Sequence, residues 1–346
     1  PQVGATRSAG AVAHNGAVAA APEIAERLER VQVPLYLGAI VVGVLVGLST
    51  PRFAESLDLA VTPVLAALLF VTFLQIPIAD LGKSLRDVRF LGAIAVVNFV
   101  VVPLVMVCLA PFVPNDTAIR IGVLLVLLCP CVDYVVVFTG LAGGSRIRLL
   151  AATPLLLLVQ MILAPLLLLA FLGREVTEVI EPGPFVEAFV LLIGIPLALA
   201  WVVQAWAART RAGRRFTAGA DTTMVPLMMA VLAVVTCSQI PRVEERLGDL
   251  LAIIPVYVVF LIVMAFAGVV VGRGFRLDVA STRAVTFSGA TRNSLVVLPL
   301  ALALPVGYEA AAAAIVTQTL VELIGMVAYV WACLLYTSPS PRDRTR

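Results

Sequence analysis

Apolar runs of about 20 residues, the length that crosses the hydrocarbon core of a bilayer, recur ten times along this 346-residue chain. They fall at about 34–50, 59–79, 90–110, 118–141, 149–172, 185–207, 222–240, 249–271, 284–304 and 309–333. Short connectors marked by proline, glycine or charge separate them. The chain is 61% hydrophobic and 13% charged, against about 25% charged residues in a soluble domain. No soluble fold hides that much apolar surface. The fold class is therefore an all-α polytopic membrane protein with ten transmembrane helices.

Several function classes drop out. The net charge of +3 points to no nucleic-acid partner. The five cysteines (Cys108, Cys129, Cys131, Cys237 and Cys333) sit in or beside apolar runs, without an extracellular disulfide pattern. The single histidine, His14, lies in an Ala/Gly-rich leading stretch, so no histidine-based metal site or catalytic dyad is expected in the core. The connector "GLAGGSR" (Gly140–Arg146) has glycines but lacks the Lys-Ser/Thr of a phosphate-binding loop. Neither a metal nor a cofactor is expected.

Lys and Arg set the orientation of such a chain. The leading segment and the even-numbered connectors carry 14 of them: Arg27 and Arg30; Lys83, Arg86 and Arg89; Arg146 and Arg148; Arg209, Arg211, Arg214 and Arg215; Arg273, Arg276 and Arg283. The odd connectors carry 5, namely Arg52, Arg120, Arg174, Arg242 and Arg246. The bias puts both termini in the cytoplasm.

Ten spans divide into two sets of five, and an odd-membered repeat inverts its second copy. The expected organisation is a disordered or interfacial segment over 1–31, with "EIAERLER" as an interfacial helix. A first five-helix repeat follows over 32–172 and a second, inverted one over 185–333. The stretch 334–346, "LLYTSPSPRDRTR", switches abruptly to Ser, Pro and Arg. It resembles a translated sequencing adapter and is set aside as non-native, and the start at Pro1 suggests that the true start is missing.

The fourth and ninth spans both look broken. The fourth holds Cys129-Pro130-Cys131-Val132-Asp133; the ninth holds "SGATRNS" (Ser288–Ser294) and then Pro299 and Pro305. Interrupted helices at matching positions of two halves mark the substrate site of a secondary transporter. Unwound backbone at membrane depth survives only where protein or a water-filled cavity satisfies it.

Three charges lie far from the ends of any span: Asp133, Arg292 and Glu322. Each costs at least ~2.5–3.5 kcal/mol at the bilayer centre, so each is expected to face the bundle interior and to pair. Asp133 and Arg292 occupy equivalent points of the two broken helices and are expected to approach one another where these cross. Two readings of that pair stand: a buried ion pair locking helix register, or a charged centre on a substrate path. Glu322 either shares Arg292 or holds a proton part of the time, because removal from water favours a neutral carboxyl. The second behaviour suits proton coupling.

Cys108, Cys237 and Cys333 read as small buried residues. Cys129 and Cys131 flank the proline of the break, so one or both are candidates to face a cavity. Soft thiolates favour soft ions and thiophilic metalloids. Among the polar residues inside spans, Gln75, Asn98, Gln160, Thr236 and Ser238 read as helix–helix glue. Asn293 and Ser294 in the ninth-span break, and Gln318 one turn from Glu322, are the candidates for substrate contact.

In order along the chain come the broken fourth span with its cysteine, "FTGLAGG", the asparagine-containing break, "LPLALALP" and "VTQTLVELIGM". Over about residues 32–333 the chain resembles the arsenite efflux permeases of the bile acid/sodium symporter superfamily. The resemblance implies a panel domain and a core domain containing crossed helices. It implies export of trivalent arsenic, and possible antimonite transport, across a bacterial cytoplasmic membrane, driven by protons without ATP. It assigns the essential cysteine to Cys131 and the essential glutamate to Glu322, and matches Asn293. The chain departs from those permeases at Asp133, Tyr134 and Arg292. A guanidinium at the crossing repels Na⁺ and is able to stand in for it, so proton rather than sodium coupling is expected. The alternative keeps the architecture and makes the cargo an organic anion, sodium- or proton-coupled, clamped by Arg292. An intramembrane acid protease would need two aspartates in short signature motifs, which are absent. The oligomeric state is left open.

Overall fold

The computed structural model describes residues 31, 34–75, 87–131, 134–173, 190–245 and 247–337, and all regular structure among them is helical. Among the described residues, four helices are long and apolar enough to cross a membrane: Val88–Phe112, Arg211–Ile240, Gly248–Gly274 and Glu309–Leu335. Shorter apolar helices accompany them, and the pattern is that of a polytopic membrane protein.

The chain gathers into two compact units, each drawn from both halves of the sequence. The first contains α1 (Pro34–Ser49), α2 (Pro51–Leu74), α7 (Ile195–Arg209) and most of α8 (Arg211–Glu245). Proline opens α2, where its missing N–H has no helical partner to lose. At the other end of α2, Gln204 of α7 donates its side-chain amide to the carbonyls of Phe73 (2.9 Å) and Leu74 (3.2 Å). Those are two of the orphan acceptors that any helix end leaves.

The second unit contains α3 (Val88–Phe112), α4 (Thr117–Leu128), α5 (Tyr134–Leu141), α6 (Arg146–Leu172), α9 (Leu247–Gly274), α10 (Val279–Ala290), α11 (Ser294–Leu302) and α12 (Glu309–Thr337). Aspartate side-chain caps start three of its helices. Asp87 accepts from the Phe90 amide, Asp116 from Ile119 and Asp278 from Ser281. Helix α12 packs against α4, α9, α11 and α5, and α9 lies along α10. Gly122 lets α4 meet α12 backbone to backbone: a Cβ there would stand 2.4 Å from the Ala311 carbonyl oxygen.

Three features differ from the sequence expectation. The run at 222–240 lies inside one helix, Arg211–Glu245, so the basic stretch after Thr210 is helix rather than connector. Arg and Ala form helix readily, and hydropathy marks only the part of a helix that matches hydrocarbon. Likewise α2 begins at Pro51, ahead of its apolar run. The third span contains a wide, π-type turn at Val97–Val101, which apolar composition does not signal.

The fourth and ninth spans are interrupted. Helix α4 stops at Leu128 and α5 starts at Tyr134; α10 stops at Ala290 and α11 starts at Ser294. Proline forces the residue before it out of helical geometry, and Cys129 is extended (φ −100°, ψ 113°). Thr291 is extended as well (φ −90°, ψ 132°), and Asn293 caps α11 by accepting from the Val296 amide at 3.2 Å. Val132 and Asp133, like the interfacial segment proposed for 23–30, lie outside the described residues.

Candidate functional site

The two breaks satisfy each other's backbone. The Cys131 amide donates to the Thr291 carbonyl (3.1 Å), and the Asn293 amide donates to the Cys129 carbonyl (2.8 Å). These bonds make an antiparallel bridge with Pro130 opposite Arg292. That pair is of the non-hydrogen-bonded kind. Proline has no N–H to give, so Pro130 occupies the position where none is asked for. For the same reason the backbone N–H and C=O of Arg292 point away from the bridge and are open to other partners.

Arg292 is fully buried. Its Nη2 donates to Asn98 Oδ1 (2.9 Å), to the Ser288 carbonyl (2.6 Å) and to the Gly289 carbonyl. Its Nη1 reaches the Leu127 carbonyl at 3.4 Å. The guanidinium lies 5.7 Å from the centre of the Phe260 ring, within cation–π range. Three of the four oxygens are carbonyls of the last turns of α4 and α10, the negative ends of two helix dipoles. Asn98 supplies the fourth from the wide turn of α3, and its own amide donates to Ser288 Oγ (2.9 Å) and the Ile94 carbonyl (3.0 Å).

Glu322 is fully buried too, on α12. It does not share the guanidinium. Its Oε2 accepts from the Arg292 backbone amide (2.8 Å) and from the Gln318 side chain, and its Oε1 accepts from the Tyr134 hydroxyl (2.6 Å). The expected pairing of Arg292 and Glu322 thus runs through the main chain, because the bridge aims that N–H outward. The expected approach of Asp133 to Arg292 lies outside the described residues. Ion pairs among the described residues occur instead at helix starts, where Arg148 meets Asp87 (3.4 Å) and Asp278 (3.1 Å).

The remaining candidates are all buried: Cys129, Cys131, Asn293, Ser294 and Gln318. Side chains alternate along extended backbone, so Cys129 and Cys131 share one face of the bridge with Thr291 and Asn293. Thr291 donates its hydroxyl to the Phe287 carbonyl (2.7 Å), with the Met326 sulfur 3.2 Å away. At the crossing, Arg292 Nε, Asn293 Nδ2 and Gln318 Oε1 are buried with no hydrogen-bond partner among the described residues.

A sequence model of the SBF-like CPA transporter family matches residues 35–333. The chain belongs to that family. Comparison with curated proteins finds no match. Membership in the SBF-like CPA transporter family, a group of bile acid/sodium symporter-like membrane transporters, agrees with the helical, apolar architecture.

Two residues of this SBF-like CPA transporter's crossing escape a reading of the sequence. Asn98 reads as helix glue, yet its oxygen holds the guanidinium. Tyr134 reads only as a departure from related permeases, yet it is one of three donors to Glu322. The available signals were the amide within an apolar run and the polar hydroxyl directly after Asp133.

Proposed function

We propose that this chain is a secondary-active exporter of trivalent arsenic, arsenite foremost, that takes up protons in exchange. The observation that carries the reading is the set of buried donors and acceptors at the crossing, Arg292 Nε, Asn293 Nδ2 and Gln318 Oε1, beside thiols and an ionisable carboxyl. As(OH)₃ presents hydroxyls that both donate and accept, and an arsenic atom that favours sulfur. Cys131 engages the arsenic, and a single thiol permits release where three would trap the metalloid. Asn293, Ser294 and Gln318 bond the hydroxyls. Glu322 takes the proton as substrate leaves, with Asp133 as a second carboxyl of the same network.

Proton coupling is supported by Arg292. Four oxygens that would suit a hard cation already surround a fixed positive charge, which opposes a second cation nearby. The same commitment weighs against the organic-anion alternative. A guanidinium whose two terminal nitrogens are occupied lacks the free fork that a bidentate carboxylate clamp requires.

The architecture proposed for this function is ten spans in two inverted repeats, 32–172 and 185–333, with both termini cytoplasmic in a bacterial inner membrane. It rests on the paired breaks and on the Lys/Arg bias. In an arsenite-sensitive host, Cys131→Ser and Glu322→Gln, each checked for membrane expression, are expected to abolish resistance. Full resistance in both variants would overturn the site assignment.

A further inference from the structure

The bridge leaves one donor and one acceptor of Arg292 pointing outward, and both are used. The amide donates to Glu322 Oε2 at 2.8 Å. The carbonyl oxygen lies 3.3 Å from the Tyr134 hydroxyl, which is 2.6 Å from Glu322 Oε1. The three groups close a ring: Arg292 N–H, the Glu322 carboxyl, the Tyr134 hydroxyl, Arg292 C=O. A phenolic hydroxyl has one hydrogen to donate but also accepts. Tyr134 therefore has the Glu322 carboxyl and the Arg292 carbonyl as acceptors within reach, with the Ser294 hydroxyl as a further side-chain partner, and can donate to one at a time.

The two choices correspond to the two protonation states of Glu322. An ionised carboxylate only accepts, so the hydroxyl donates to Oε1, the shorter and charge-assisted contact. Once Oε1 carries a proton it becomes a donor. Tyr134 then accepts that bond and turns its own hydrogen to the Arg292 carbonyl. No heavy atom moves, and the proton gained by Glu322 comes from solvent, not from Tyr134. The Arg292 amide cannot reverse in this way.

We propose that Tyr134 is a positioning residue whose hydroxyl reverses between Glu322 and the Arg292 carbonyl, so that the crossing stays hydrogen-bonded in both protonation states. This rests on the reading of Glu322 as the proton-coupling group. The titratable groups on the elements packed around Glu322 are Arg292 in the ninth-span break, which interacts with it, Cys129 and Cys131 in the fourth-span break, which interact with Arg292, Tyr257 on α9, and Tyr329, which interacts with it from α12 itself. Each of the last two already donates its hydroxyl to a backbone carbonyl, of Ala314 and Leu261 respectively. Asp133, next in sequence to Tyr134, lies outside the described residues.

The test is infrared difference spectroscopy between acid and alkaline states of the full chain in lipid, with ring-labelled tyrosine. A protonated-carboxyl band that disappears in Glu322→Gln is expected to titrate together with a tyrosine band that disappears in Tyr134→Phe. The phenylalanine keeps the edge-on contact with Phe138, so the variant is expected to fold. A Glu322 band that titrates while every tyrosine band stays unchanged overturns the role of Tyr134 alone. No carboxyl band sensitive to Glu322→Gln overturns it together with the proton-coupling reading.

Discussion

A guanidinium without solvent exposure must find its acceptors inside the protein, and Arg292 draws them from three helices: α3, α4 and α10. Replacing it by methionine leaves that set of oxygens buried and unpartnered. By analogy with breaking a buried ion pair, Arg292→Met is expected to cost about 3–5 kcal/mol, read as a lowered unfolding temperature in detergent. Arg292→Ala opens the oxygen set instead. Sodium is expected to raise the unfolding temperature of that variant and to leave the native chain unchanged; stabilisation of the native chain by sodium would contradict a guanidinium in the cation's place. Arg292 and Glu322 were legible in the sequence because a charge inside an apolar run is conspicuous. Asn98 was not, since an amide in such a run serves helix contacts just as well. Its role depends on α10 lying close beside α3, where a Cβ on Gly289 would stand 2.8 Å from Val97.

At the scale of elements, the breaks in α4/α5 and α10/α11 were readable from Pro130 and from the Gly289–Asn293 stretch. Their pairing was not, because hydrogen bonds between distant segments leave no local trace. Helix α12 adopts the position that brings Glu322 to the crossing through close contact with α4. Gly122→Val places a branched side chain against the Ala311 backbone, and overpacking of about 1–3 kcal/mol is expected, together with weaker transport if Glu322 is displaced. A fall in stability of that size should appear in thermal unfolding, and no fall would mean that α4 and α12 adjust freely. The start of α10 has a pH dependence of its own. The Ser281 amide and hydroxyl, and then Arg148, hold the Asp278 carboxyl below its ordinary 3.8. A lowered folded value adds stability above the unfolded value, and that stability is lost as pH falls through the lowered one. Hydrogen exchange at the Ser281 amide should therefore quicken below pH about 4. Asp278→Asn, which still caps, should abolish that dependence.

Across the whole molecule, composition fixes the membrane class because so much apolar surface has no other place to go. The division into two compact units was only implied by resemblance, since each unit joins helices from both halves of the chain. Membership in a transporter family and the paired breaks support the proposed transport reading, in which Glu322 is the group that gains and loses the coupling proton. The direct measurement is arsenite flux in proteoliposomes under an imposed pH gradient or an imposed sodium gradient, for the native chain and for Glu322→Gln. Flux is expected to follow the pH gradient, to ignore sodium, and to vanish in Glu322→Gln. Flux that follows sodium and ignores pH, or pH-driven flux that survives in Glu322→Gln, would contradict it.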